Sequence, residues 1–332
     1  MKYAIIGCGL IGRKRLAALG YSQLVVACDT DLRRAEALVQ TARQGRATAS
    51  YQDAVDDPAV EAVIVCTINA ALAEVTAAAI RAGKPVLVEK PAGINARQIE
   101  DLLALANERG VPVRVGFNHR YHPAFRQART IFESGALGEM MFIRGRYGHG
   151  GRIGYDREWR ADPKLSGGGE LLDQGMHLID LSRWFLGDFA RVSGHADRYY
   201  WDMPVEDNGF LDLVTAHGQT AWLHVSCSEW KNLFSFEIYG KTGKLHIDGL
   251  GGSYGLERLH FYQMRPELGP PDTTIWEYPR GDDSWNYELQ RFEEDARQRR
   301  TPDAGLAEAL AAMRVVEEIY GTSGWNNMRQ NQ

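Results

Sequence analysis

A chain of 332 residues, 44% hydrophobic and 24% charged, has the length for two domains and the apolar content for a large core. Its 43 acidic side chains outnumber 38 basic ones, for a formal net charge of -5, which excludes the basic footprint of a nucleic-acid binder. No apolar run approaches the roughly 18 residues of a membrane-spanning helix, so neither nucleic acid nor membrane is expected as a partner.

The opening MKYAIIG runs straight into glycines and lacks the longer apolar stretch of a signal peptide, which predicts a cytoplasmic protein. Strand and helix patterns then alternate as far as residue 120, the order a parallel α/β sheet requires. Strands are expected at 2–7, 24–29, 62–67, 86–90 and 111–117, and helices at 10–19, 31–43, 70–82 and 95–109. Beyond 120 come a helix at 123–134, a strand at 140–147, a glycine-rich loop at 166–169 and a helix at 170–186. Between 189 and 280 strands follow one another without helices, among them 210–215, 220–226, 233–240 and 244–249, as in an antiparallel meander or open sheet. Helical patterns return at 285–299 and 303–320. The four cysteines, Cys8, Cys28, Cys66 and Cys227, form no CxxC pair. Buried free thiols of a reducing compartment are expected, with no disulfide and no metal site.

Gly7-Cys8-Gly9-Leu10-Ile11-Gly12 is a GxGxxG that follows a predicted strand and opens a predicted helix, the context that gives this spacing its meaning. Gly7 permits the tight turn, Gly9 lets the backbone approach a pyrophosphate, and Gly12 lets helix and strand pack closely. The helix start, at Leu10 and Ile11, turns its free N–H groups to the phosphates. Asp29 ends the second strand 22 residues after Gly7, where an acid accepts from the adenine ribose hydroxyls and repels a 2′-phosphate. NAD is therefore expected over NADP, with Arg33 and Arg34 as the residues that would argue for NADP. Arg13, Lys14 and Arg15 oppose the helix dipole in the first turns. Either nearness to cofactor phosphate or a solvated basic face accounts for them.

Two further segments carry chemistry. Glu89-Lys90-Pro91 closes the buried strand VLVEKP, and ligands of open α/β sheets bind beyond such strand ends. In GGGELLDQGMHLID (167–180), Asp173, His177 and Asp180 are spaced four and three apart and share one helical face. Carboxylate, imidazole and carboxylate after a triple glycine make poor core material.

GCGLIG, VEKP at 88–91, GFNHRYHPAF at 116–125 and SGGGELLDQGMHLID at 166–180 resemble the glucose-fructose oxidoreductase / inositol dehydrogenase / rhizopine catabolism (Gfo/Idh/MocA) family over nearly the whole chain. The resemblance implies a NAD(P)-binding Rossmann domain (1–120). An α+β domain (121–332) with an open, mostly antiparallel sheet would then bind substrate and assemble a homodimer or homotetramer. It implies an NAD-linked oxidoreductase acting on a secondary hydroxyl, or ketone, of a sugar, cyclitol or sugar derivative. By motif position, Lys90 would hold substrate and cofactor and assist proton transfer, Asp173 would bind a substrate hydroxyl and tune His177, and His177 would be the general acid/base. Thr67, Asn69 and Glu89 join the expected cofactor contacts. In CTINAALAEV (66–75), Ile68 and Leu72 stand where the family often has Pro and His.

Arg120, Tyr155, Trp159 and Arg160 are the expected substrate wall. Arg152, Arg157 and Arg160 make that segment basic, which either an anionic substrate or ordinary surface charge explains. Trp201, Trp222 and Trp230 are open to sugar stacking or to sheet packing. Two other functions are open to the same fold: a glycosidase that oxidises and re-reduces its substrate on bound NAD, and a cofactor-sensing regulator without catalysis, against which the intact Lys90, Asp173 and His177 argue.

Overall fold

The computed structural model describes residues 1–267 and 269–325. The chain divides into two compact units. Unit 1 holds Met1–Asn118, Lys164–Gly167 and Trp285–Leu310; unit 2 holds His119–Pro163, Gly168–Ser284 and the described residues from Ala311 on.

In unit 1, strands β1 (Lys2–Ile6), β2 (Gln23–Cys28), β3 (Arg46–Thr48), β4 (Ala62–Val65), β5 (Val86–Val88) and β6 (Val113–Val115) alternate with helices. These are α1 (Leu10–Ala18), α2 (Leu32–Ala42), α3 (Tyr51–Val55), α4 (Asn69–Arg81) and α5 (Ala96–Arg109). The strands form one sheet in the order β3-β2-β1-β4-β5-β6, parallel throughout. All four residues of β4 are buried, as a strand covered on both faces requires. The strand order reverses at β1, and the glycine-rich turn follows β1 directly, at the switch point where such sheets take their ligands. The short β3 and α3 lie in a polar stretch whose sequence carries no strand or helix period.

In unit 2, α6 (Pro123–Glu133) leads into β7 (Met140–Gly148). After α7 (Pro163–Ser166), a π-helical turn at Leu171–Gly175 opens α8 (Met176–Leu186). Strands β8 (Phe189–Asp197), β9 (Asn208–Thr215), β10 (Thr220–Ser226), β11 (Leu233–Gly240), β12 (Gly243–Asp248), β13 (Glu257–Gln263) and β14 (Asp272–Tyr278) follow. With β7 they form a sheet in the order β14-β13-β12-β11-β7-β10-β9-β8. Only the β7–β10 pair is parallel, because β7 inserts between two later strands. Burial alternates residue by residue along β11 and β12, so the sheet has one core face and one more open face. On the core face Phe125 of α6 meets Phe234 and Phe236 of β11 at ring-centroid distances of 5.9 and 5.4 Å.

The last helices, α9 (Ser284–Gln298) and α10 (Leu306–Thr322), correct a simple division at residue 120. From Trp285 to Leu310 the chain returns to unit 1, where Leu289, Phe292 and Ala296 pack with Tyr3, Ile5, Ile64 and Leu87. Charge holds it there as well. Arg114, buried in β6, donates to Asp295 at 2.9 Å through Nε, and Arg15 lies 2.6 Å from Glu288. Among the described residues no helix is long and apolar enough to cross a membrane.

Candidate active site

The turn after β1 is shaped by what its glycines leave out. Gly7 has φ +97°, and a side chain there would strike the Cys66 carbonyl; one at Gly12 would strike the Gly7 carbonyl oxygen. At Gly9, by contrast, a Cβ would meet nothing within 4 Å. Protein packing does not require a glycine at that position, and the bare backbone leaves room for a ligand. Helix α1 starts there with no side-chain cap, so its first N–H groups suit a phosphate. The half-buried Asp29 accepts from the N–H of Cys8 at 2.8 Å and of Asp31 at 2.9 Å, one bond to each carboxylate oxygen. A carboxylate has about four acceptor positions, which leaves capacity for ribose hydroxyls. Arg33 and Arg34 both pair with Asp31, at 3.1 and 3.8 Å. These residues fit a dinucleotide.

At the end of β5, the Glu89 carboxylate accepts from Arg15 Nε at 2.7 Å. Arg15 is fully buried and its other arm meets Glu288. Neither sequence reading of the basic turn holds for Arg15: it is the cation of a buried Glu89–Arg15–Glu288 triad, stacked on Trp285 at 4.5 Å. Burial pushes the Glu288 carboxyl up to about 7, against the pull of Arg15. Lys90 is half-buried, next to the cis bond to Pro91. Thr67 is half-buried too, and the Asn69 amide donates to the Ser166 carbonyl at 2.8 Å. These residues all belong to unit 1.

Unit 2 holds the remaining candidates. The buried Glu206 carboxylate accepts from the N–H of Gly169 at 2.9 Å and of Leu171 at 3.0 Å, and from the Tyr320 hydroxyl at 2.6 Å. It serves as a cap for the π-helical turn, taking N–H groups that a helix start leaves unsatisfied. A side chain at Gly169 would collide with the Glu206 carbonyl oxygen, so the glycine is what allows this close approach. Burial raises the Glu206 carboxyl to about 7, with the Tyr320 hydroxyl and the backbone N–H groups acting in the other direction.

The turn so fixed carries Asp173, which pairs with Arg160 Nε at 3.1 Å. His177, buried in the first turn of α8, stacks on His119 with ring centroids 3.7 Å apart and planes 21° apart. Asp180 takes Arg120 in a two-pronged pair at 2.7 and 2.6 Å, both side chains buried. Arg120, expected to touch substrate, pairs with the helix that carries His177.

Beside this turn, Tyr155 is buried, and Trp159 and Arg160 stack as a cation–ring pair at 4.6 Å. His149 lies 3.6 Å from the buried Glu170, which raises its pKa against the effect of burial. Of the three arginines in the basic segment, Arg152 pairs with Glu158 and Arg160 with Asp173.

Comparison with known proteins places the chain. Residues 1–117 match a family model described as an oxidoreductase family, NAD-binding Rossmann fold, and residues 125–246 match a Gfo/Idh/MocA C-terminal domain. A dTDP-3,4-didehydro-2,6-dideoxy-alpha-D-glucose 3-reductase of Actinomadura kijaniata is 31% identical over 75% of this chain and 74% of its own length. The chain belongs to the Gfo/Idh/MocA oxidoreductase family. A levoglucosan dehydrogenase of Pseudarthrobacter phenanthrenivorans is 28% identical, over 52% of this chain and less than half, 44%, of that relative. A solved levoglucosan dehydrogenase in complex with NADH and levoglucosan superimposes with a TM-score of 0.87, covering 97% of each chain at 19% identity. At that identity the likeness is one of fold.

For a Gfo/Idh/MocA member, the sequence names Lys90, Asp173 and His177 by motif but misses what holds them. His119 and Glu206 are distant in sequence from the segments they support. Their signals are faint: a histidine inside GFNHRYHP, and an acid pair, Glu206-Asp207, entering β9.

Proposed function

We propose that this protein is a NAD(H)-dependent dehydrogenase or reductase acting on a secondary hydroxyl, or the corresponding ketone, of a sugar, cyclitol or sugar derivative. The observation that carries the reading is the placement of Asp173 and His177 on consecutive turns, the first of them capped by Glu206, in a chain whose other unit offers a nucleotide cradle. Bound nicotinamide supplies the hydride acceptor, or donor in the reverse direction. Gly9, the start of α1 and Asp29 hold the dinucleotide, and the pairing of Arg33 and Arg34 with Asp31 favours NAD over NADP. His177 takes the hydroxyl proton; an imidazole, with an ordinary pKa near ~6.5, suits a base working near neutrality. Asp173, paired with Arg160 at 3.1 Å, accepts a hydrogen bond from the substrate hydroxyl. Lys90 acts in the same step, orienting the reacting oxygen. Thr67 and Asn69 shape the loop beside the cradle, and Tyr155, Trp159 and Arg160 form a wall for the sugar.

The more open face of the unit 2 sheet presents Trp222, 49% exposed, a stacked His195–Phe210–His224 row and a stacked Phe142–Tyr239 pair. It is the surface through which a homodimer or homotetramer would form. The four free thiols suit a reducing, cytoplasmic setting.

The test is a panel of pyranoses, uronic acids, cyclitols and nucleotide sugars incubated with NAD and read at the NADH absorbance. Sustained NADH formation with at least one of them is expected. Hydrolysis of a glycoside without net NADH would replace the dehydrogenase with a redox-cycling glycosidase. No turnover at all with either NAD or NADP would contradict the enzyme reading.

A further inference from the structure

From the polar wall of unit 2 a row of rings runs outward. His149, beside Glu170, meets Tyr155 at 5.5 Å, Tyr155 meets Trp201 at 5.6 Å, Trp201 meets Tyr200 at 5.1 Å, and Tyr200 meets Trp230 at 4.7 Å. Exposure climbs along the row, from 5% at Tyr155 to 53% at Tyr200 and 71% at Trp230. The outer pairs pack edge to face, at 85° and 78°, an arrangement that leaves flat ring faces uncovered.

The row is held in place. The buried Asp207 carboxylate accepts from three successive N–H groups, those of Tyr199, Tyr200 and Trp201, at 2.9, 2.7 and 2.8 Å. Trp201 donates its indole N–H to the Cys227 carbonyl at 2.8 Å. Gly150 lies against the Trp230 backbone, and at Gly151 a Cβ would come within 2.5 Å of the Trp201 ring. Trp230 itself has φ +57°, a left-handed backbone that is uncommon for a bulky residue and that concentrates at ligand-binding segments. Exposed aromatic rings fixed in advance lose little freedom on stacking a ligand. Three side chains are too few for a protein partner, whose contact would cover about 800 Å² of this surface, and the row is continuous with the wall assigned above to the sugar.

We infer that the substrate is a sugar carrying a second ring, and that Trp201, Tyr200 and Trp230 hold that second ring by stacking. This rests on the reading of Tyr155 and Arg160 as the sugar wall. The shared chemistry is a ring face that stacks on an aromatic side chain, supplied either by the apolar C–H face of a second pyranose or by the planar base of a nucleotide sugar.

The test is calorimetric titration of the NADH-saturated full chain with glucose, cellobiose and UDP-glucose, and needs no turnover. At least one two-ring ligand binds about 10-fold or more tightly than glucose. Trp230→Ala, and separately Tyr200→Ala, lower that ratio by about 5-fold or more, the scale of one lost aromatic stack. Both substitutions lie at exposed positions, and the melting temperature of each variant verifies its fold. A gain with cellobiose identifies a second sugar, and a gain with UDP-glucose a nucleobase. Affinities of all three within about 2-fold, or an equal loss for all three in both variants, overturn the inference. The absorbance screen is independent: ring preference without NADH formation would retire the redox reading alone, and NADH formation without ring preference would retire this inference alone.

Discussion

Glu206 makes the stability of unit 2 depend on pH in an unusual direction. Its carboxyl rises from an ordinary 4.5 to about 7 in the folded protein because burial outweighs the bonds from Gly169, Leu171 and Tyr320. Below pH 4.5 the group is protonated in both folded and unfolded chains and has no pH effect. Between 4.5 and 7 the unfolded chain has released the proton and the folded chain still holds it, so rising pH favours unfolding. At 1.36 kcal/mol per unit, the drain reaches about 3 kcal/mol by pH 7 and then levels off. Glu206→Gln does not titrate. The stability of this variant relative to the parent should therefore climb by about 3 kcal/mol from pH 4.5 to 7, or about 6–12 °C in melting temperature. Differential scanning calorimetry of both proteins across this range measures it, since every other titrating group cancels in the difference. Tyr320→Phe removes a bond that favours the carboxylate and should extend the drain above pH 7. A difference that stays flat, or that falls as pH rises, refutes the reasoning and makes Glu206 an ionised cap.

Three other outcomes follow from the same structure. Asp29→Ser removes the charge that repels a 2′-phosphate, so fluorescence titration should show NAD binding more tightly than NADP in the parent and a narrower gap in the variant; tighter NADP binding by the parent contradicts this. Asp180→Asn takes the charge partner from the buried Arg120 and should cost about 3–5 kcal/mol in urea denaturation, whereas a loss below about 1 kcal/mol would show the pair to be dispensable. Light scattering at micromolar concentration should find a dimer or tetramer, and a monomer would remove the sheet face as an interface.

Most of the parallel sheet is legible in the sequence because β1, β2, β4, β5 and β6 lie in short apolar runs, whereas β3 and α3 carry no such pattern. The glycines after β1 mark the turn without help from any distant residue. What the sequence hides is held by long-range charge. Arg15 reads as one of three cations facing either cofactor phosphate or solvent, yet its partners Glu89 and Glu288 lie 74 and 273 positions away. The same holds for Arg114 and Asp295, which help bring α9 back to unit 1. The helix expected at 170–186 has the right extent, but its first turn is π-helical, and Glu206, from the entry to β9, takes the N–H groups at its start. Asp173 and His177 are legible as a pair because they share that segment. The stacking of His119 on His177 is not, because it joins a 3-10 turn to a helix more than fifty residues on.

His177→Ala tests the central claim most directly, with turnover, NAD affinity and melting temperature measured on one preparation. Removal of a general acid/base costs about 10²–10⁴-fold in rate, and that loss in kcat is predicted with NAD affinity nearly unchanged, because the dinucleotide cradle is built from unit 1 residues. Lys90→Met should lose comparable activity. Near-normal turnover in a folded, NAD-binding His177→Ala protein would contradict the account and leave Lys90 as the base.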